Sequence, residues 1–207
     1  MKKLIAVVVS LTVGVNSAQA GRPIETDDAS VTAHRICQLD FWTETALEVR
    51  QDNFNGGCNF LGNGEFSLGL GAAHGNQEDL SLNSLGYKHI LRDFTENSTG
   101  FGLAASREWG RLKFSDESSQ ETLLTTIASV PLHGTDLLLH LNLGYLQYSD
   151  QIQSDNSVFK AAALDYSFNE RVGFSVETYS GVNDSLSWRI GVRYTLIPDF
   201  LQVDASY

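Results

Sequence analysis

The stretch Ser185-Leu186-Ser187-Trp188-Arg189-Ile190-Gly191-Val192-Arg193-Tyr194-Thr195-Leu196 decides the fold. Leu186, Trp188, Ile190, Val192, Tyr194 and Leu196 are apolar, and every residue between them is polar or tiny. Strict period two over this length marks a strand with one apolar face. The pattern recurs along the chain. Residues 136–148 put Leu137, Leu139, Leu141, Leu143 and Tyr145 on one face, with His140, Asn142 and Gly144 on the other. Residues 171–179, 60–72 and 201–207 alternate in the same way. Weaker alternation covers 34–44, 46–52, 79–92, 99–109, 121–130 and 157–168. Eleven strands are expected and no helix. Several run to about 10 residues, long for a soluble sheet and suited to a tilted membrane strand.

Composition agrees. The 207 residues include 18 Gly, 11 Phe, seven Tyr and three Trp but only three Pro, a mixture that favours strands and turns. A formal charge of -11 disfavours a nucleic-acid partner, which needs a basic footprint. Connections are of two kinds. Residues 133–135, 169–171 and 197–198 read as tight turns, while 110–120 and 149–156 read as longer, acidic loops. Short turns on one side and longer loops on the other are the habit of bacterial outer-membrane barrels.

The first 20 residues read as a secretory signal. Lys2 and Lys3 open it, an apolar run follows to Val15, and Ala18-Gln19-Ala20 supplies a small-x-small exit. The run is too short for the roughly 20 residues of a spanning helix. Cleavage after Ala20 removes both lysines and takes the formal charge from -11 to -13. Residues 21–33 are then expected as an N-terminal periplasmic segment, and 34–207 as an outer-membrane barrel. In an exported chain Cys37 and Cys58 are expected to form a disulfide. No His stands at ligand spacing from either cysteine, so no metal or other cofactor is expected.

Period two leaves open which face is inside. An apolar core gives a soluble β-domain, whereas an apolar exterior gives a membrane barrel with a polar lumen. On the polar face, a loop around Asn183 sets Glu177 opposite Arg189. A two-residue turn at 197–198 sets Arg193 opposite Gln202, with Asp204 diagonal to both arginines. Asp165 falls on the same face. Asp165, Glu177, Arg189, Arg193 and Asp204 could therefore form a lumen ladder, either a charged constriction that selects solutes or a network that satisfies buried charge. His140 faces the same lumen, where it could meet a serine. His34, His74, His89, His133 and His140 form no H-x-x-E-H or H-E-x-x-H pattern, and no G-x-S-x-G elbow occurs. No catalytic residue is assigned. Asn97-Ser98-Thr99 and Asn183-Asp184-Ser185 read as turns, and the acidic stretches 115–121 and 150–155 as solvated loops.

Gly21-Arg22-Pro23-Ile24-Glu25-Thr26-Asp27-Asp28-Ala29 resembles the RP-x-x-TDDA mature start of a family of outer-membrane β-barrels. Cys37-Gln38-Leu39-Asp40, Cys58-Asn59-Phe60 and Glu65-Phe66-Ser67-Leu68-Gly69 resemble its paired-cysteine strands, and residues 198–207 resemble its penultimate strand. The family is grouped with the meta-pathway phenol-degradation and transporter-like barrels. The resemblance implies an up-and-down transmembrane barrel of 10–12 strands that takes up or binds small, apolar or aromatic solutes. It also implies one strand beyond Tyr207, and an odd count of eleven agrees, because bacterial single-chain barrels are even. Expected partners are outer-membrane lipid and lipopolysaccharide, the barrel-assembly machinery and a small-molecule solute. Three other readings stand beside this one: a structural barrel with a filled lumen, an outer-membrane lipid-modifying enzyme, and a soluble periplasmic β-domain.

Overall fold

The structure, a computed structural model, describes residues 6–13, 25–46, 49–75, 79–95, 97–113, 117–132, 136–180, 186–198 and 200–207. Lys2, Lys3, the Ala18–Ala20 exit, the 133–135 turn and the Asn183 loop lie outside them. The described residues form twelve strands: β1 (Ala6–Val13), β2 (Cys37–Ala46), β3 (Val49–Cys58), β4 (Gly64–His74), β5 (Asp79–Arg92), β6 (Gly100–Leu112), β7 (Ser118–Leu132), β8 (Leu137–Ser149), β9 (Ser154–Ser167), β10 (Val172–Ser180), β11 (Leu186–Ile197) and β12 (Leu201–Ser206). No helix occurs among the described residues.

The eleven strands expected from alternation are β2 to β12. Each pairs antiparallel with its neighbours in sequence, so the chain runs up and down around one curled all-β sheet. An odd number leaves β2 and β12 pointing the same way. Ala6–Val13, within the run read as an export signal, lies between them and antiparallel to both. Val9 stands opposite Phe41 on one side and Val203 on the other. With this twelfth strand the ring is closed.

Two expectations about connections change. Residues 110–120 and 149–156 are mostly strand, because β6 and β7 extend to Leu112 and from Ser118, and β8 and β9 to Ser149 and from Ser154. The expected alternation of short turns and long loops is therefore small. Cys58, expected in a connection, is the last residue of β3 and sits directly opposite Cys37, to which it is disulfide-bonded. Beyond it, Asn59 builds the turn. Its amide accepts from the Gly62 N–H at 2.7 Å and donates to the Gly62 carbonyl at 2.8 Å, with Gly62 at φ +88°.

Burial settles which face is inside. The apolar set points outward: Leu68 is 64% exposed and Trp188 63%, with Leu70, Leu143, Phe174, Ile190 and Tyr194 also exposed. The polar set points inward: His140 is 0% exposed, Glu177 2% and Arg189 3%. A soluble barrel has the opposite arrangement, with its apolar residues inside. Small inward residues let the wall close tightly. A side chain on Gly144 would come within 2.6 Å of the Leu124 carbonyl. The only apolar cluster inside the ring among the described residues is Leu146, Phe159 and Ala161, backed by Leu123 and Tyr179.

The disulfide closes a loop with a sequence separation of 21, for which chain entropy gives about 3 kcal/mol. Replacing both cysteines by serine should lower the unfolding free energy by about that much and leave the wall intact. Urea titration followed by circular dichroism checks it: a lower midpoint with unchanged β signal is expected.

Candidate functional site: the occupied lumen

The lumen is built by the inward parity of strands β2 to β12. A register slip of one residue would turn a strand inside out, whereas a slip of two keeps its faces. That rule accounts for the ladder residues. Glu177 does stand opposite Arg189. Arg193, however, stands opposite Asp204 rather than Gln202, which opposes Thr195. A bulge between Thr195 and Ile197 and a three-residue connection lengthen the hairpin by an even step, so every residue stays on its expected face.

The five residues and His140 all face the lumen, but they form separate pairs rather than one ladder. Arg189 Nη1 is 3.7 Å from Glu177 Oε1, and its guanidinium lies over the Tyr179 ring. Arg193 Nε is 3.3 Å from Asp204 Oδ1, whose other oxygen accepts from Gln202 at 2.7 Å. His140 Nδ1 is 2.8 Å from Ser129 Oγ, and its Nε2 is 3.6 Å from Asp165 Oδ2. These last three groups follow the order of a hydrolytic triad. Yet Ser129 Oγ already accepts the Ala29 N–H at 2.7 Å and is fully buried. As arranged, it has no room for an acyl group.

That contact belongs to the main feature of the site. Residues 25–32, expected as a segment outside the wall, run through the ring and are held there by wall side chains. The Glu25 and Thr26 N–H groups donate to the two Glu177 oxygens at 3.3 and 3.1 Å, and the Thr26 hydroxyl adds a third bond at 2.9 Å. Asn142 clamps one residue from both sides: its oxygen accepts the Asp27 N–H at 2.6 Å and its amide donates to the Asp27 carbonyl at 2.9 Å. Lys88 Nζ donates to Asp27 Oδ1 at 2.8 Å and to the Asp28 carbonyl at 3.4 Å. The Thr32 N–H and hydroxyl both donate to Glu65, and the Thr32 carbonyl accepts from Asn59 at 2.6 Å. This strap crosses from β10 to β4 and β5.

Beside it a polar cavity of about 340 Å³ remains, lined in part by Lys88, Glu65, Asp40, Asn55, Ser106 and Thr125. The Glu25 side chain opens onto this space. Enclosure within the ring pushes its carboxyl from 4.5 up to about 7; Arg189 opposes the rise, and Glu44, Glu177 and Glu121 add to it. Among the described residues no group of three or more His, Cys, Asp or Glu could hold a metal ion.

Alternation could have found more of this than was drawn from it. A hairpin centred between residues 134 and 135 sets Ser129 opposite His140. Lys88 shares the inward parity of Ser84 and Gly86. The strap itself has no periodic signal, and in the sequence only the resemblance carried by residues 21–29 singled it out.

No family model, no curated protein and no solved structure matches this chain.

Replacing Lys88 with Met should leave Asp27 and Asp28 facing Glu65 with their shared cation gone. Because Asp27 is partly open to the cavity, the cost is set at about 3 kcal/mol, the low end for a broken buried pair. Strap release should rise roughly a hundredfold, read as faster proteolysis within residues 25–32 while the wall stays resistant. The strap should also loosen with rising pH. Docked Glu25 keeps a proton between about pH 4.5 and 7 that the released segment has lost. Docking therefore weakens across that window and levels off above it. Protection at pH 5 should exceed that at pH 8, and Glu25→Gln should remove most of the difference.

Proposed function

We propose that this chain is an exported, integral outer-membrane barrel whose lumen binds small polar solutes and whose own strap is the resident occupant. The observation that carries the reading is the inverted burial: large apolar side chains ring the outside while Arg189, Glu177 and His140 lie inside. Water tolerates such an exterior poorly, and lipid favours it. The resemblance of the mature start to transporter-like barrels adds the expectation of solute passage. The cavity lining argues for polar rather than aromatic solutes, since most residues facing it carry a carboxylate, amide, hydroxyl or ammonium, with Leu123 and Phe159 among the apolar exceptions. We read Ser129, His140 and Asp165 as a strut beneath the strap, not as reacting groups.

Export brings a structural consequence. Cleavage after Ala20 removes β1 and leaves the edges of β2 and β12 without their partner. Unpaired backbone groups are costly in lipid, so those edges then need another strand antiparallel to both.

A second reading, a structural barrel with a permanently filled lumen, is favoured by the number of bonds that hold the strap. Single-channel recording in planar bilayers separates the two. The proposal expects low conductance for the unaltered chain and several-fold more for Lys88→Met. Equal, near-zero conductance for both would favour the filled barrel. Fractionation comes first: recovery in the outer membrane, with a gel mobility that shifts on boiling, is expected. Recovery as a soluble periplasmic protein would overturn both readings.

A further inference from the structure

The strap is recognised as a peptide. Its contacts go to backbone groups spread over eight residues: the N–H groups of Glu25, Thr26, Asp27, Ala29 and Thr32, and the carbonyls of Asp27, Asp28 and Thr32. These groups bond to side chains: Glu177, Asn142, Ser129, Glu65, Lys88 and Asn59. A segment that merely filled space would not need a two-sided amide clamp on one residue. Hydrogen bonds to a peptide's backbone give a binding groove its affinity, and pockets for particular side chains give it selectivity.

Selectivity is visible at three positions. At position 26 a hydroxyl donates to Glu177. At position 27 a carboxylate meets Lys88, and the second carboxylate, of Asp28, lies 3.8 Å from the same ammonium. At position 29 only a small residue fits. Ala29 is 1% exposed, and its Cβ lies 3.0 Å from where a side-chain carbon on Gly100 would stand.

We infer that the lumen wall of β5, β7, β8 and β10 is a binding site for short acidic peptides of the form Thr-Asp-x-Ala, which the chain's own residues 26–29 occupy in cis. The strap is then an intramolecular competitor. Tethering gives it an effective concentration of about millimolar, so a free peptide is excluded until the strap is weakened. The inference names a ligand class for the lumen proposed above and rests on that lumen's being the functional site. It does not depend on where in the cell the barrel resides.

The test uses the full chain folded in detergent, with Thr26→Val and Asp27→Ala together to weaken the strap and leave every wall residue unchanged. The probe is a fluorescein-labelled peptide with the sequence of residues 21–33, read by anisotropy. The expected result is binding to the variant at least tenfold tighter than to the unaltered chain. Asn142→Ala in the variant, or a lysine in place of the peptide's first aspartate, should each weaken it at least tenfold. Binding equally tight for the lysine peptide, or no gain of the variant over the unaltered chain, would overturn the proposal. If the double variant fails to show the β signal of a folded wall, Asp27→Asn alone, which keeps the side-chain volume, takes its place under the same criteria. Because anisotropy reads binding and not passage, a chain that conducts no solute can still bind the peptide, and a conducting barrel can still fail to bind it.

Discussion

Polar groups enclosed by a ring of strands must be satisfied from within, and residues 25–32 are how this chain does it. Glu177, Asn142, Ser129, Glu65 and Lys88 are fixed by the wall and point into the lumen, where Glu177, Asn142 and Ser129 are buried. Left to one another, the carboxylates would repel. The strap supplies N–H donors to Glu177 and Glu65, both a donor and an acceptor to Asn142, and two carboxylates to Lys88. A buried polar network is stabilising only when its members are satisfied. Removing one strand of this network therefore disturbs groups on both sides of the lumen.

The same requirement acts on the wall. A sheet ends in two edges whose N–H and C=O groups lack partners, and a ring removes both. Parity then matters. Eleven up-and-down strands present two edges running in one direction, and only a strand antiparallel to both can join them by antiparallel pairing. Ala6–Val13 fills that place as a run of Val, Leu and small polar residues. The residues read as an export signal and the residues that close the ring are the same, so under the proposed export, cleavage would remove the closing strand.

Much of the wall was legible because a two-residue period is a strong signal. Residues 79–92 coincide with the observed strand, and the other ten strands from Cys37 onward are recovered with shifts at their ends. The sign of the faces was not legible, since Leu186–Ile197 alternates identically whether Trp188 meets a core or lipid. Register was partly legible. Glu177 opposite Arg189 followed from one loop length, but Arg193 opposite Asp204 needed a bulge at Thr195 that no residue pattern announces. The strap was not legible. Its bonds join positions up to 152 residues apart, and it has no period of its own. Thr26, Asp27 and Ala29 gain their roles only from the wall that surrounds them.

The central claim is that residues 25–32 lie bonded inside the ring, and amide hydrogen exchange of the folded chain tests it most directly. The N–H groups of Thr26, Asp27, Ala29 and Thr32 each donate to a wall side chain. They should exchange orders of magnitude more slowly than in the free peptide, approaching the rates of the strand amides. Exchange of all four at the rate of the free peptide, with the strands still protected, would contradict the account.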